Sequence, residues 1–200
     1  MKRARQLVLL VVICVSGLAY WGVSQRPASV RELSSVAESG SLTAETRYSP
    51  GDNLERLDLA RLGEAQQSID IAMYAFTDTY IADALVDLAE RGVEIRIYRD
   101  HQQFEDEQRR FSERGKPSTT ALFAGQKNIQ VRVKNSHELM HLKAFLTDGR
   151  VLRDGSANWS PTGLKRQDNN AHYTADPLQV NAFRRNFEQM WERPDNLRVQ

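Results

Sequence analysis

Residues 141–158 read HLKAFLTDGRVLRDGSAN, a pattern that predicts two strands joined by a turn. Residues 141–147 alternate in polarity and contain large apolar side chains, as expected of a strand. A turn over Asp148-Gly149-Arg150 follows, and residues 151–158 then read as the returning strand. The stretch therefore predicts a β-hairpin.

Four polar side chains of this hairpin are expected to meet at one spot. His141 and Lys143 are two residues apart, so both point to one face of their strand, and the same holds for Ser156 and Asn158. If residues 149–150 form a two-residue turn, Lys143 lies opposite Ser156 and His141 lies opposite Asn158. The spacing therefore predicts a polar cluster with an imidazole and an amine.

These residue types suit the cleavage of a phosphodiester without a metal ion or other cofactor. A neutral imidazole such as that of His141 can attack phosphorus and form a covalent phosphohistidine. A second imidazole can protonate the leaving oxygen and later deprotonate water. Lys143, Asn158 and the Ser156 hydroxyl can bind the non-bridging oxygens, where negative charge builds. We therefore predict a phosphodiesterase that needs no metal.

The spacing H-x-K-x4-D-x6-G-S-x-N resembles the signature of the phospholipase D superfamily, and the chain is similar to its bacterial endonuclease branch with a single motif. The resemblance extends over about residues 46–194. It implies catalytic roles for His141, Lys143 and Asp148, and phosphate binding by Ser156 and Asn158. Asp148 is seven residues from His141 and lies at the turn, so it is less suited to touch substrate than the other four.

The resemblance also implies that two copies of the motif supply the nucleophile and the acid, yet this sequence has one copy. His101, His137 and His172 lack the lysine two residues later and do not read as a second motif. We therefore expect a two-fold homodimer with a shared active site, in which His141 of each protomer faces the other.

One position departs from the pattern of the superfamily. Relatives often place a glutamate after the helix that follows the motif, where its carboxylate orients the catalytic histidine. Here Asn169 stands at that position and Asp168 precedes it. Either residue is a candidate for orienting the histidine, and a neutral partner would stabilise imidazolium less than a carboxylate does.

A competing pattern shares the same histidine. Residues 137–141 read HELMH, which matches the H-E-x-x-H pattern of zinc metalloproteases, and a helix would place His137 and His141 on one face. The longer metzincin pattern fails because Ala144 and Thr147 stand where glycine and histidine are required. The protease hypothesis also leaves Lys143 unexplained, and the backbone conformation of this segment distinguishes the two.

The remaining elements predict an α/β fold. Residues 68–76 and 93–98 read as buried strands, and a helix is expected between them over residues 79–91, which implies a right-handed crossover. We expect a mixed, mainly parallel central sheet flanked by helices on both faces, the phospholipase D/nuclease-like fold. We further expect a helix over residues 54–67, strands over 128–134 and 170–174, and a closing helix over 178–191. The closing helix has an aromatic stripe, which we assign to the core (Phe183, Phe187, Trp191).

The N-terminus predicts export from a bacterial cytoplasm. Residues 1–25 combine a basic start with an apolar run over about residues 7–23, which is typical of a signal peptide or a membrane anchor. The positive charge favours a cytoplasmic start, so the domain is expected in the periplasm, secreted or anchored to the inner membrane.

Residues 26–47 read as a polar linker and residues 48–196 as a phosphodiesterase domain. Cys14 is the one cysteine in the sequence, so the predicted domain holds no disulfide. Beyond the basic N-terminus the chain has 23 basic and 26 acidic residues, so a basic footprint over the whole domain is absent. The expected substrate is nucleic acid, DNA or RNA. Phospholipid, cardiolipin included, is the alternative, as is a member of the family that binds these ligands with little turnover.

Overall fold

The strands predicted from apolar alternation lie in one eight-stranded sheet. A computed structural model describes residues 44–199. The strands are β1 (Ala44–Ser49), β2 (Ser68–Met73), β3 (Glu94–Arg99), β4 (Ile129–Val133), β5 (Lys143–Thr147), β6 (Val151–Gly155), β7 (Asn169–Thr174) and β8 (Leu197–Val199). The helices are α1 (Leu54–Gly63), α2 (Thr79–Glu90), α3 (His101–Glu113), α4 (Pro161–Lys165) and α5 (Pro177–Trp191), with a 3-10 turn at Thr120–Phe123.

The strand order is β1-β7-β6-β5-β2-β3-β4-β8. The mixed α/β class with helices on both faces is confirmed. Parallel pairing between strands, however, is confined to β2, β3 and β4, and the other neighbouring strands of the described chain pair antiparallel, which corrects the expectation of a mainly parallel sheet. The reason is connectivity, because a helical crossover such as α2 permits parallel pairing whereas the short turn between β5 and β6 requires antiparallel pairing.

Helices cover the two faces of the sheet unequally. On one face α1 and α2 pack against β2 and β3 through a continuous apolar cluster that includes Trp159. On the other face α5 packs alone against the sheet. The rings of Phe187 and Trp191 stack there with centroids 5.6 Å apart, so the prediction that the aromatic stripe of this helix belongs to the core is confirmed.

Two edge strands were not predicted. Residues 44–47, assigned to the linker from sequence, form most of β1, which pairs with β7. β8 pairs with β4 at the opposite edge. Both strands are mostly exposed and carry little apolar alternation, so the pattern did not reveal them. The predicted signal or anchor segment (residues 1–25) lies outside the described residues, as does the linker over residues 26–43. No helix among residues 44–199 combines the length and the apolar character needed to cross a bilayer.

Candidate active site

The motif histidine lies beside the edge of the sheet where β2, β3 and β4 end and β5 begins, which we call the carboxyl edge. His141 is exposed in the loop just before β5. Tyr74 follows β2, and its N–H donates to the carbonyl oxygen of Leu142 at 2.9 Å. The His141 and Tyr74 rings meet edge to face, with centroids 4.5 Å apart. This contact orients the imidazole while leaving it accessible.

Lys143 is the buried partner of this histidine. Its side chain is largely enclosed, with Nζ donating to the carbonyl oxygen of His141 at 2.6 Å. The same Nζ lies 4.6 Å from the centroid of the Tyr74 ring, a cation–π contact. Burial lowers the pKa of Lys143 to about 8, and the nearby negative charge of Asp100 opposes that shift. At neutral pH the amine is therefore a cation that has lost much of its hydration.

Asn158 joins the same cluster through the segment after β2. Its Oδ1 accepts from the N–H of Ala75 at 3.2 Å. The following residue, Trp159, accepts through its carbonyl from the N–H groups of Thr77 and Asp78. Because the amide oxygen is occupied, the NH2 group of Asn158 is the part of the side chain available to a substrate oxygen. The structure therefore brings His141, Lys143 and Asn158 together around Tyr74 and Ala75.

The strand register differs by one residue from the predicted one. Three residues, Asp148 to Arg150, separate the strands, and Thr147 pairs with Val151. Continuing this register brings Lys143 level with Gly155 instead of Ser156. Gly155 has φ +144°, and a Cβ atom there would lie 2.4 Å from the carbonyl oxygen of Asn170, so only glycine permits β7 to approach this closely.

Ser156 is occupied by contacts within the protein. Its hydroxyl donates to Oδ1 of Asn169 and accepts from the N–H of Asn170, both at 2.9 Å. Its own N–H also donates to Asn170. The geometry thus assigns Ser156 to the connection between β6 and β7, in place of the predicted contact with phosphate.

The two candidates for orienting the histidine lie in this second network. Besides accepting from Ser156, Asn169 donates through Nδ2 to the carbonyl oxygen of Gly163 at 3.0 Å. Asp168 is exposed. Within the described residues, neither side chain forms a hydrogen bond with His141 of the same chain. An orienting role would therefore require the histidine of a second copy of the chain.

Asp148 lies at the opposite end of β5 from Lys143, about 17 Å away at 3.3 Å per residue. Its carboxylate accepts from the backbone N–H groups of Gln66, Gln67 and Ser68 at 2.8–2.9 Å. Asp148 also adopts φ +52°, a conformation that aspartate tolerates. The expected catalytic role of Asp148 is therefore corrected: the carboxylate anchors the hairpin turn to the start of β2.

The segment His137-Glu138-Leu139-Met140-His141 is an irregular loop, so the helix required by the zinc-protease hypothesis is absent from this part of the described chain. No group of three or more His, Cys, Asp or Glu side chains among residues 44–199 is arranged to hold a metal ion. His101 contacts Glu105 at 3.4 Å and His172 contacts Thr46 at 2.9 Å. The geometry thus favours the phosphodiesterase pattern over the protease pattern.

Two residues of the site were missed from sequence. Tyr74 supports both His141 and Lys143, and its position directly after the buried strand SIDIAM was the available signal. Asp100 is buried, accepts from the N–H of Met140 at 2.8 Å and so holds the loop before His141. It also caps α3 by accepting from the N–H of Gln103, and no sequence pattern distinguished this double role.

Comparison with known proteins gives a family match and structural neighbours. The family model described as "Cardiolipin synthase, PLD-like domain" matches residues 59–191. The mitochondrial cardiolipin hydrolase of Homo sapiens is 32% identical over 139 residues, which cover 70% of this chain and 51% of that protein. The chain thus spans about half the length of this curated relative.

Two solved bacterial structures share the fold. NucT from Helicobacter pylori has a TM-score of 0.65 at 22% identity, covering 75% of this chain and 96% of that one. The phospholipase D family member Nuc from Salmonella typhimurium has a TM-score of 0.66 at 22% identity, covering 79% and 98%. Together with the match over residues 59–191, the motif and its placement at the carboxyl edge show that the chain belongs to the phospholipase D superfamily.

Proposed function

We propose that this protein hydrolyses phosphodiesters through a phosphohistidine at His141, and that its substrate is nucleic acid, cleaved internally with low sequence specificity. The observation that carries the proposal is the convergence of His141, Lys143 and Asn158 around Tyr74 and Ala75. An accessible imidazole, a buried cation and an amide donor are the groups that nucleophilic attack on an anionic phosphorus requires.

The reaction has two displacements. In the first, a ring nitrogen of His141 forms a bond to phosphorus while the bond to the leaving oxygen breaks, and a second imidazole protonates that oxygen. In the second, this imidazole takes a proton from water, whose oxygen attacks phosphorus and releases His141. Lys143 and the NH2 group of Asn158 bind the non-bridging oxygens, where negative charge accumulates.

The second imidazole is proposed to come from another copy of the chain. His101 and His172 are engaged with Glu105 and Thr46, and His137 lies exposed in the loop. The exposure of His141 at the carboxyl edge is what a shared site on a two-fold axis would need, because each protomer must present its histidine outward. The expected homodimer is therefore part of the proposal.

A nucleic-acid substrate is supported by two features. His141 stands exposed at an open edge of the sheet, which is accessible to an extended polymer backbone. The structural neighbours named Nuc and NucT match over 98% and 96% of their own lengths, so the same small domain forms nearly all of both proteins. We further propose that the domain acts in the bacterial periplasm, either free or held by its N-terminal segment.

A phospholipid substrate is the second candidate. Leu139 and Leu142 are 49% and 38% exposed, and they flank His141 in sequence. Such side chains provide apolar surface beside the reacting group, where acyl chains of a lipid could pack. The curated relative from Homo sapiens is named a cardiolipin hydrolase. A third reading, binding with little turnover, is motivated by Asn169 in place of a glutamate.

The test compares substrates on one preparation of the full chain in the presence of EDTA. Plasmid DNA, single-stranded RNA and cardiolipin vesicles are assayed in parallel, and the chain is analysed for phosphohistidine after rapid denaturation in alkaline detergent, because acid would cleave the phosphorus–nitrogen bond. We expect nicking of nucleic acid and a label on His141. His141→Asn should abolish turnover, whereas His137→Asn, the matched control in the same loop, should retain it. Release of phosphatidic acid that is faster than the cleavage of nucleic acid would favour the lipid substrate. Binding of nucleic acid or lipid without any label on His141 would favour a protein that binds with little turnover.

A further inference from the structure

A buried ion pair lies behind the carboxyl edge. Arg153 on β6 and Asp58 on α1 are both fully buried, with Nε of the arginine 3.1 Å from Oδ1 of the aspartate. Asp58 also accepts from Nε1 of Trp159 at 2.8 Å and from the hydroxyl of Tyr173 at 2.7 Å. Burial and the charge of Asp58 raise the pKa of Tyr173, so its hydroxyl stays a donor.

The guanidinium of Arg153 links two separate parts of the motif. Its Nη1 donates to the carbonyl oxygen of Lys143 at 2.8 Å and to that of Ala157 at 3.2 Å. Lys143 carries the buried cation of the site, and Ala157 directly precedes Asn158. One rigid planar group therefore sets the separation between the backbone that carries the amine and the backbone that carries the amide.

Stability alone does not account for this pair. A buried ion pair loses about as much free energy in desolvation as it gains in attraction, and apolar replacements are often neutral or stabilising. Nη2 of Arg153 is buried and has no hydrogen-bond partner among the described residues, which adds to the cost. Apolar side chains could fill the space, but they could not hold two backbone carbonyls at a defined distance.

The aromatic surroundings keep the arrangement rigid. Trp159, which binds Asp58, packs against Phe76 and Phe145 with ring centroids 4.9 and 5.7 Å apart. Phe76 belongs to the segment whose Ala75 N–H holds Asn158. The ion pair is thus anchored to the same structure that supports the amide donor, and the low polarity around it strengthens its hydrogen bonds.

We propose that Arg153, oriented by Asp58, is a positioning residue for phosphodiester hydrolysis: it fixes Lys143 and Asn158 at the separation that two non-bridging oxygens require. The inference rests on the proposed function, because it assigns to Arg153 an effect on the reaction of that same site.

The experiment measures kcat and KM of the full chain for bis(p-nitrophenyl) phosphate between about pH 6 and pH 10. Arg153→Lys keeps the charge but cannot bind Asp58 and both carbonyls in one plane. We expect it to lower kcat about 10- to 100-fold, since small displacements of catalytic groups cost this much, with KM within about threefold. The groups that face the Lys143 amine are Asp100, Tyr74 and the His141 carbonyl. If the backbone of Lys143 is no longer held in place, water should reach the amine and raise its pKa. The alkaline limb of kcat/KM should then move to higher pH.

Arg96→Met is the matched control. Arg96 on β3 forms ion pairs with Asp70 on β2 and with Glu188 on α5, and it hydrogen-bonds to neither Lys143 nor Ala157. Its loss should lower the melting temperature and leave kcat per folded molecule and the alkaline limb unchanged. If Arg153→Lys fails to fold, Asp58→Asn takes its place: the amide oxygen still accepts from Trp159, the NH2 group can donate to the Tyr173 hydroxyl, and the guanidinium loses its charged anchor.

The outcomes separate the two claims. A wild-type chain that hydrolyses no phosphodiester overturns the proposed function together with the role of Arg153. A wild-type chain that is active, with an Arg153 variant that keeps both kcat and the alkaline limb, overturns the positioning role alone. The positioning role is also overturned if the Arg153 variant lowers kcat without moving the alkaline limb and Arg96→Met lowers kcat equally. Arg153 would then contribute to stability alone.

Discussion

Two neighbouring residues of the motif occupy opposite environments. His141 is exposed and held by the edge of the Tyr74 ring, whereas Lys143, two residues on, is buried over the face of the same ring. The difference suits the roles that we propose for them, because a nucleophile must reach phosphorus while a buried cation interacts more strongly with charge than a hydrated one. Tyr74 is the residue that makes both environments possible.

The pH dependence of turnover should report the state of Lys143. Burial lowers its pKa to about 8, so the amine is a cation below that pH and loses its charge above it. Because only the cation can bind the phosphate oxygens, kcat/KM is expected to fall as pH rises through about 8, reporting the free enzyme. Initial rates at low substrate concentration measure this, and a profile that stays flat to about pH 10 would remove Lys143 from the binding of charge.

A second titrating residue bears on stability. Asp78 caps α2 and is fully buried, and burial together with Glu55 raises its pKa from 3.8 to about 7. The folded chain therefore holds a proton on Asp78 that the unfolded chain has lost, so stability from this group falls as pH rises from about 4 to about 7.

Asp78→Asn should remove that loss, because asparagine caps a helix as well as aspartate does and carries no charge. We expect the variant to gain at least about 1 kcal/mol in the free energy of unfolding near pH 8, since one pKa unit corresponds to about 1.4 kcal/mol. Near pH 4 the two chains should be alike. Urea denaturation at both pH values measures this, with Asp176→Asn at the cap of α5 as the control; an equal change at both values would contradict it.

Single residues also mark the limit of inference from sequence. The places of His141, Lys143 and Asn158 at one edge followed from their spacing, because side chains two apart share a face of a strand. The roles of Asp148 and Ser156 did not follow, since each depends on a partner distant in sequence. Asp148 binds Gln67, 81 residues away, and Ser156 binds Asn169, which only the folded sheet brings near.

At the scale of elements, the hairpin between β5 and β6 shows how a turn sets the register. The spacing predicted both strands, but one residue more in the turn moved Lys143 from a place opposite Ser156 to one level with Gly155. Turn length depends on local conformation, here φ +52° at Asp148 and +63° at Gly149, and sequence periodicity does not report it. The edge strands β1 and β8 escaped prediction for a related reason, since strands exposed at an edge need no apolar alternation.

Asp148→Ala should separate an anchoring role from a catalytic one. The substitution leaves three backbone N–H groups without their acceptor and places alanine in a left-handed conformation, so we expect a loss of about 2 kcal/mol or more in the free energy of unfolding. Turnover per folded molecule should change by less than about threefold, because the carboxylate is remote from Lys143. Asp148→Asn, which keeps an acceptor and tolerates this φ, is the control. Loss of turnover in a fully folded Asp148→Ala chain would restore the catalytic assignment.

At the scale of the whole molecule, the single motif makes assembly the central question. When wild-type chains are mixed with an excess of His141→Asn chains, unfolded and refolded, most wild-type chains should pair with a variant chain. If each site needs one imidazole from each copy, activity per wild-type chain should fall about tenfold at about a ninefold excess. His137→Asn chains in the same excess control for nonspecific exchange. Undiminished activity, or activity in a monomer isolated by sedimentation, would show that one copy suffices.

The direction of the two edge strands has a practical consequence for the molecule. β1 begins at Ala44 and runs towards Ser49, which pairs with Asn169 near the site, so the chain enters the domain on the side remote from His141. β8 runs the opposite way to β4 and leaves from Leu197, level with Val133, towards that same remote side. An affinity tag or solid support joined directly before Ala44 or directly after Val199 would therefore attach on the side opposite His141, and would leave the carboxyl edge uncovered.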